Sequence, residues 1–581
     1  MSSRFLVCLV WIHLLALFVL AQDNVAGKGI PVENQTTRNA CSACHAIDDE
    51  GRMTRISYMR KTPEGWQETI KRMVREQDVM VEPAAAREIV KYLSNEHGLA
   101  PEEARPAFYE VERRMIRETI PDESLEEACV VCHSIGRILS QRRDRDEWKL
   151  LTSFHLALYP MAEFQAFRAV RSSTSRTLPA VGEAQVGDDP LRPGPIPATR
   201  TISSLNDQRD PVDRALDYLG RAQPLDTPEW RAWRASFRAP QIEGTWAVQA
   251  YMVGRGRGYG QMVISPGPAE DEFRTATSIE FSDGTRTSRT GRVLLYAGYS
   301  WRGSSNDPSA VTERLGQLRE VMFLSSDNDT LNGRWFNGAY DEFGIDVVAQ
   351  RIRRDIHVSG TDKSGVMAGS SETVRIYGAN FNPELSTEDI DFGPGIRVNS
   401  SRVTSDMIAV DISVESEALP GQRDVVVGGI VSRGALAVFD RIDYVRVLPE
   451  QGMARLGGGA MPKQFQQFDA VAYHEGPDGV TGTEDDIELG PVPVSWSVEE
   501  FNARLNDDDI LYVGTLGPNG LFTPNIDGPN PERKGQTNNY GDVRVIATYE
   551  GEGTDKPIRG GAHLVVTVPL YVRWLQLEVL P

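Results

Sequence analysis

The chain has 581 residues and is too long to fold around a single hydrophobic core, so several domains are expected. It carries 62 Lys and Arg against 82 Asp and Glu, which gives a formal net charge of −20. Such an acidic balance argues against nucleic acid and anionic membrane surfaces as partners.

The first predicted element is a secretory signal over residues 1–21. Arg4 supplies the positive start, an apolar run follows to Leu20, and Val19 and Ala21 have small side chains suited to a cleavage site. The run is short for a helix that spans a membrane. We therefore expect cleavage, export and no membrane span in the mature chain, with a retained anchor as the alternative.

Two copies of the motif C-x-x-C-H follow, at residues 41–45 and 129–133. This spacing is the attachment signal of a c-type haem, in which two thiols bond to the haem and the next histidine ligates its iron. A zinc site would need four ligands, and each cluster offers three. We predict two covalent haems. The residues predicted to hold them are Cys41, Cys44 and His45 for the first haem, and Cys129, Cys132 and His133 for the second.

An internal repeat predicts the second iron ligand of each haem. Met73 follows Trp66 by seven residues, and His155 follows Trp148 by the same spacing. We predict Met73 and His155 as the distal ligands, on helices that begin near the tryptophans. A thioether raises the haem potential relative to a second imidazole, so the two haems should differ. The residues that compete for these roles are Met80 and His97 for the first haem and Met161 for the second.

The helical region is predicted to extend over residues 22–238, as two haem modules at 22–105 and 106–238. A polar stretch at residues 171–210, rich in Ser, Thr, Pro, Gly and Arg, interrupts the second module. This stretch is long for an ordered loop. It is expected to be a lid over a haem or an insertion that wraps a partner.

From about residue 241, short alternating runs separated by glycine-rich turns replace the helices. The predicted fold class is a helical diheme cytochrome c domain followed by three antiparallel β domains. The β domains are a barrel of about eight strands at 239–361, an immunoglobulin-like sandwich at 362–449 and a C-terminal sandwich at 450–581. Residues 282–285 predict a hairpin turn within the barrel.

The β region offers little chemistry of its own. It shows no nucleophile paired with a base and no phosphate-binding loop, so we predict no catalytic residue on this chain. The acidic, glycine-containing run at residues 478–487 leaves a Ca²⁺ site open, with a solvated acidic hairpin as the more ordinary interpretation.

The arrangement resembles one family, the large (α) subunit of quinohaemoprotein amine dehydrogenase. The resemblance rests on the two haem motifs, the Trp/Met and Trp/His pairs, the segment at 224–230 and the three β units, and it covers essentially the whole mature chain. It implies a periplasmic heterotrimer with a β-propeller subunit and a small γ subunit that holds cysteine tryptophylquinone. This chain would take electrons from the quinone as primary amines are oxidised. It would pass them to an external blue copper protein or cytochrome c.

Two other classes of function stay open from the sequence. The first is a self-contained diheme enzyme of peroxidase type, which would need an open sixth position on one iron. The second is a redox-linked binding protein that uses its β domains as accessories. Low-spin, six-coordinate spectra from both haems would favour electron transfer over the peroxidase.

Overall fold

The computed structural model divides into two compact units, one helical and one made of β domains. The predicted signal and nearly all of the predicted insertion lie outside the residues it describes. The described residues are 29–107, 119–168, 209–237, 239–310, 315–337, 344–458, 461–502 and 508–569.

The helical unit consists of two modules with a similar order of elements, and the second module has one additional short α-helix before its strand. The first contains α1 (Gln35–Cys41), β1 (Met59–Lys61), α2 (Pro63–Gln77), α3 (Pro83–Glu96) and α4 (Pro101–Ala104). The second contains α5 (Glu123–Ala128), α6 (Gly136–Leu139), β2 (Gln141–Arg143), α7 (Arg145–Leu158), α8 (Pro211–Ala222) and α9 (Pro228–Ser236). The helices expected to carry the distal ligands are present as α2 and α7. In the described part of the chain, no helix combines the length and the apolar character needed to cross a membrane.

Matching residues begin the two ligand-bearing helices. The side chains of Thr62 and Asp144 each accept a hydrogen bond from a backbone N–H in the first turn, and so cap α2 and α7. Trp66 and Trp148 follow four residues after these caps, and both are buried in the cores of their modules. The repeat in the sequence therefore fixes the same helix start and the same core residue twice.

The two tryptophans attach each ligand helix to the closing helix of its module. The indole N–H of Trp66 donates to the carbonyl of His97 at 3.0 Å, and that of Trp148 donates to the carbonyl of Gln223 at 3.3 Å. His97 and Gln223 are the C-terminal caps of α3 and α8. They are therefore equivalent positions in the two modules.

The modules are joined by an antiparallel pair of equivalent strands. β1 pairs with β2, and Arg60 lies opposite Arg142. Each of these arginines stands two residues before the cap of its ligand helix, so equivalent residues face each other. Such self-complementary pairing requires a twofold axis between the strands. The helical unit therefore has approximate internal twofold symmetry about the Arg60–Arg142 pair.

A buried ion cluster lies at this axis. Arg60 is fully buried, and its two terminal nitrogens lie 2.5 and 2.8 Å from the carboxylate of Glu103. Its Nε donates to the carbonyl of Leu225 at 2.6 Å. Arg142 approaches the same carboxylate at 3.5 Å, and the hydroxyl of Thr227 donates to it at 2.7 Å. The cluster links residues of both modules through a single carboxylate.

A closed, eight-stranded antiparallel barrel begins the β unit, as predicted. Its strands are β3 (Gly244–Met252), β4 (Gly256–Pro266), β5 (Glu272–Phe281), β6 (Arg286–Tyr296), β7 (Ser300–Asn306), β8 (Gln317–Leu324), β9 (Thr330–Phe336) and β10 (Gly344–Arg351). β10 pairs with β3 to close the barrel, and the predicted turn at 282–285 joins β5 to β6. Trp246, Trp301 and Trp335 on its strands are fully buried.

The second β domain packs two four-stranded sheets over one core. One sheet contains β11 (His357–Thr361), β13 (Ser371–Ala379), β15 (Ile396–Val403) and β16 (Met407–Val414). The other contains β12 (Gly365–Met367), β14 (Ile390–Asp391), β17 (Gly421–Val427) and β18 (Ile430–Phe439). β11 belongs to these sheets although it precedes the predicted boundary at residue 362.

The third β domain holds three sheets around a further core. The first sheet contains β19 (Tyr444–Leu448), β22 (Asp469–His474) and β23 (Ile487–Pro491). The second contains β20 (Gln451–Arg455), β24 (Ser495–Glu500), β27 (Gly541–Tyr549) and β28 (Ile558–Thr567). The third contains β21 (Gln466–Gln467), β25 (Gly514–Leu516) and β26 (Leu521–Pro524), and the short helix α10 (Asp509–Tyr512) precedes β25.

The expectation of purely antiparallel β domains is wrong at two strand pairs. β12 pairs with β18 in parallel, and β20 pairs with β28 in parallel. In both domains the chain passes from one sheet to the other right after its first strand, between β11 and β12 and between β19 and β20. The second segment then lies beside the last strand of its domain and runs in the same direction.

Candidate haem sites

Both C-x-x-C-H motifs lie at the C-terminal end of a short helix. In each motif the N–H of the second cysteine donates to the carbonyl of the first, at 3.2 Å for Cys44 and 3.4 Å for Cys132. The second cysteine of each pair is exposed, and Cys41 and Cys129 are half-buried. The four form no disulfide, so each motif presents two thiols on one tight turn.

The environment of the first cysteine in each pair keeps it protonated. Burial, together with the neighbouring Cys132, raises the pKa of Cys129 to about 12. Burial and the neighbouring Cys44 also raise the pKa of Cys41. A thiolate is the form that attacks disulfides, so these raised pKa values disfavour a redox-active dithiol. They are compatible with thiols that end as thioethers.

The three predicted histidine ligands share one hydrogen-bond arrangement. In each ring, Nδ1 lies within hydrogen-bond distance of a main-chain carbonyl, and a carbonyl can only accept. Nδ1 therefore carries the proton in the neutral ring, and Nε2 is the nitrogen left to bind iron. The pairs are His45 with Thr54 at 2.8 Å, His133 with Ser134 at 2.9 Å and His155 with Leu151 at 2.9 Å.

The predicted distal ligands occupy equivalent places on α2 and α7. Met73 and His155 are both half-buried and both lie seven residues after a buried tryptophan. Burial lowers the pKa of His155, and the charges of Arg72 and Arg143 lower it further, so the ring is neutral near pH 7. Neutral imidazole is the form that ligates iron.

The competing ligand candidates occupy different environments. Met80 and Met161 are exposed, at 94% and 59% of their surface. His97 is fully buried, and its ring packs against Trp66 and Tyr92 with centroids 6.2 and 6.1 Å apart. Burial lowers the pKa of His97 to about 3.

Large apolar side chains are exposed in the second module. When several such groups are exposed together, they usually mark a surface that a ligand or a partner covers. Five of them lie in the second haem motif or at residues 158–164: Val131, Leu158, Tyr159, Met161 and Phe164. A thiol pair, oriented histidines and uncovered apolar surface together fit a large, flat, apolar cofactor with iron at its centre.

In the acidic loop at residues 478–487, carboxylates take part in the hydrogen bonds of the turn. Its carboxylates accept from the loop's own backbone: Asp478 from Val480 at 2.8 Å, and Asp486 from Gly482 at 2.6 Å. No group of three or more His, Cys, Asp or Glu side chains in the described ranges, which include this loop, could hold a metal ion. The Ca²⁺ site stays a prediction, and these hydrogen bonds within the turn favour the solvated acidic hairpin.

Comparison with protein families covers most of the chain. Residues 32–174 match the model described as quinohemoprotein amine dehydrogenase A, alpha subunit, haem binding. Residues 239–352, 363–440 and 445–579 match domains II, III and IV of the same alpha subunit. The fold and the first match define a haem-binding protein whose haem domain precedes β domains. The chain belongs to the quinohemoprotein amine dehydrogenase alpha-subunit family, and so to an amine dehydrogenase complex.

Comparisons with curated proteins and with solved structures give no further information on function. No curated protein matches the chain. Among solved structures, a redesigned β-barrel is 19% identical over 19% of this chain and 92% of its own, with a TM-score of 0.16. Human protocadherin-24 EC1-2 is 12% identical over 36% of this chain and 98% of its own, with a TM-score of 0.15. These TM-scores are too low to support a conclusion about fold.

Proposed function

We propose that this chain is the electron-transfer subunit of a periplasmic quinohemoprotein amine dehydrogenase, exported by the signal at residues 1–21. Cys41 and Cys44 would hold one covalent haem c, and Cys129 and Cys132 a second. When bound, the haems supply reversible one-electron oxidation and reduction. The chain accepts electrons from a cysteine tryptophylquinone on a small γ subunit and passes them to a blue copper protein or cytochrome c. A β-propeller subunit completes the heterotrimer.

The observation that carries the proposal is the common orientation of three histidines. His45, His133 and His155 each donate Nδ1–H to a main-chain carbonyl and keep Nε2 for a metal. Outer hydrogen bonds of this kind fix the tautomer and the ring direction of metal-binding histidines. Three rings in this state, two of them inside C-x-x-C-H motifs, favour two iron sites.

The internal symmetry supports Met73 and His155 as the distal ligands. These two residues are equivalent in the repeat, and both residue types ligate haem iron. His97, the competing candidate, is equivalent to Gln223 in the second module. Glutamine does not serve as a haem ligand, so this pair of positions cannot supply both irons. One pair of equivalent positions therefore accounts for both irons, whereas His97 would require different geometry in each module.

Purification from the native source tests the function. We expect two haems that stay on this chain after denaturation, low-spin six-coordinate spectra from both, and a small quinone-staining subunit that copurifies. A resting high-spin haem that reacts with peroxide would favour the peroxidase alternative. Reproducible absence of the quinone-bearing subunit would contradict the proposal.

Replacing Met73 by histidine is expected to abolish the iron–sulfur absorption of the first haem and to lower its potential, because imidazole replaces a thioether. His155→Ala is expected to turn the second haem high-spin while the first stays unchanged. Visible spectra of the oxidised chain check both results. Met80→His is the control. Because Met80 is exposed, this variant should keep the wild-type spectrum. An unchanged spectrum in M73H or H155A would refute that ligand assignment.

A further inference from the structure

The carbonyl that orients His45 belongs to an unusual turn. The Thr54 carbonyl accepts from Nδ1 of His45 at 2.8 Å and also from the N–H of Ile56 at 2.8 Å. A hydrogen bond between residues two apart defines a γ-turn, here with Arg55 at its centre. Arg55 has a φ of 70° and a ψ of −54°, which is the rare and strained form of this turn. The direction of the carbonyl therefore depends on a backbone conformation that residues with a Cβ disfavour.

An ion pair with the other haem module holds this turn. Nε of Arg55 donates to a carboxylate oxygen of Glu147 at 2.7 Å. Glu147 lies in the first turn of α7, and its side chain is only 6% exposed. The same oxygen lies 3.6 Å from a nitrogen of Arg143. A partly buried pair is screened less by solvent than a surface pair, so its attraction can offset the strain at Arg55.

The second module orients the histidine of its haem motif differently. Nδ1 of His133 lies 2.9 Å from the carbonyl of Ser134, the next residue along the chain. No residue in the described part of the second module has a positive φ. Glu147 directly precedes the tryptophan of its module, and the equivalent residue of the first module is Gly65. The strained turn and its buried carboxylate therefore act on His45 and have no counterpart at His133.

The hydrogen bond from Nδ1 has a chemical consequence at the iron. A carbonyl that accepts this proton makes the imidazole a more basic ligand. Oxidised haem iron carries one more positive charge than reduced iron, so a more basic ligand favours the oxidised form. If the turn at Arg55 relaxes, the carbonyl of Thr54 moves away from His45 and this preference weakens.

We propose that Arg55 and Glu147 are positioning residues for the first haem, because their ion pair maintains the turn that directs the Thr54 carbonyl to His45. The inference rests on the proposed function, since it requires iron at His45. Glu147 lies on the helix that carries the predicted distal ligand of the second haem. The second module therefore completes the surroundings of the iron ligand in the first.

The test is a spectroelectrochemical titration of the full two-haem chain, in which the iron–sulfur absorption identifies the first haem. Arg55→Ala removes the ion pair but keeps a Cβ, so the turn should relax. We expect the first haem to shift about tenfold toward its reduced form, which is 59 mV for a one-electron couple. Loss of a positive charge alone would shift it the opposite way.

Arg55→Gly is the matched control. It removes the same charge, but glycine adopts a positive φ without strain, so the turn needs no ion pair. The first haem of R55G should therefore not move toward its reduced form. Glu147→Ala should move the first haem toward its reduced form in the wild-type chain and by less in R55G.

The outcomes separate this inference from the proposed function. Equal potentials of the first haem in R55A and R55G overturn the inference, as does an unchanged or lowered potential in R55A. An equal effect of E147A in both backgrounds overturns the role of Glu147. Loss of the six-coordinate spectrum of the first haem from R55A but not from R55G supports the inference, and loss from both overturns it. A wild-type chain without a His/Met haem contradicts the proposed function itself, and the inference with it.

Discussion

A chain in which Cys129 and Cys132 are both replaced by alanine is expected to keep one covalent haem instead of two. His133 alone would hold the second haem only by coordination, and coordination does not survive denaturation. The mass of the denatured chain and the haem absorbance per chain measure the result. The reciprocal variant, with Cys41 and Cys44 replaced, is the matched control and should also keep one haem.

The haem that remains should differ between the two variants. The chain without Cys129 and Cys132 should keep the iron–sulfur absorption assigned to Met73, and the reciprocal chain should show only His/His ligation. Two covalent haems in either double variant would contradict the attachment sites. The same spectrum from both variants would contradict the inequivalence of the haems.

The repeat in the helical unit was only partly visible in the sequence. The spacing from Trp66 to Met73 and from Trp148 to His155 predicted α2 and α7. The pairing of β1 with β2 was missed, because three-residue strands rich in arginine and lysine have no strand-like pattern. A signal existed: Arg60 and Arg142 precede their tryptophans by the same six residues.

The β domains show where periodicity stops being informative. The alternation of apolar and polar residues predicted strands and the eight-stranded barrel. This alternation arises because successive side chains of a strand point to opposite faces, one of which packs against the core. It does not specify the neighbouring strand or its direction. The parallel pairs β12–β18 and β20–β28 depend on where the chain changes sheets, which is a property of the whole domain.

The haem sites, too, could be predicted only in part from the sequence. The residue types and spacings of the two motifs are local, so His45 and His133 could be predicted from the sequence. The carbonyls of Thr54 and Leu151 that orient the rings belong to the backbone, and sequence patterns do not report them. The ion pair of Arg55 with Glu147 joins residues 92 positions apart, and only the fold brings them together.

Replacing Glu103 by alanine is expected to destabilise the helical unit by about 3–5 kcal/mol, the usual result of removing one partner of a buried ion pair. The guanidinium of Arg60 would stay fully buried without its carboxylate. Denaturant unfolding of the haem-loaded chain, followed by haem absorbance, measures the change. Glu102→Ala is the control, because Glu102 is exposed on the same short helix. Equal stability of E103A and E102A would contradict this account of the cluster.

The effect of Glu103 should also depend on pH. Burial by itself raises the pKa of Glu103, but the hydrogen bond and charge of Arg60 and the charge of Arg142 outweigh it, and the pKa is lowered in the folded chain. The carboxylate therefore stabilises the fold above the pKa of an unfolded glutamate, about 4.3, and this contribution is lost as pH falls through the lower folded value. The difference in the free energy of unfolding between wild type and E103A should therefore shrink as pH falls over that range. Because the cluster joins both modules at the twofold axis, both haem spectra should change in one transition.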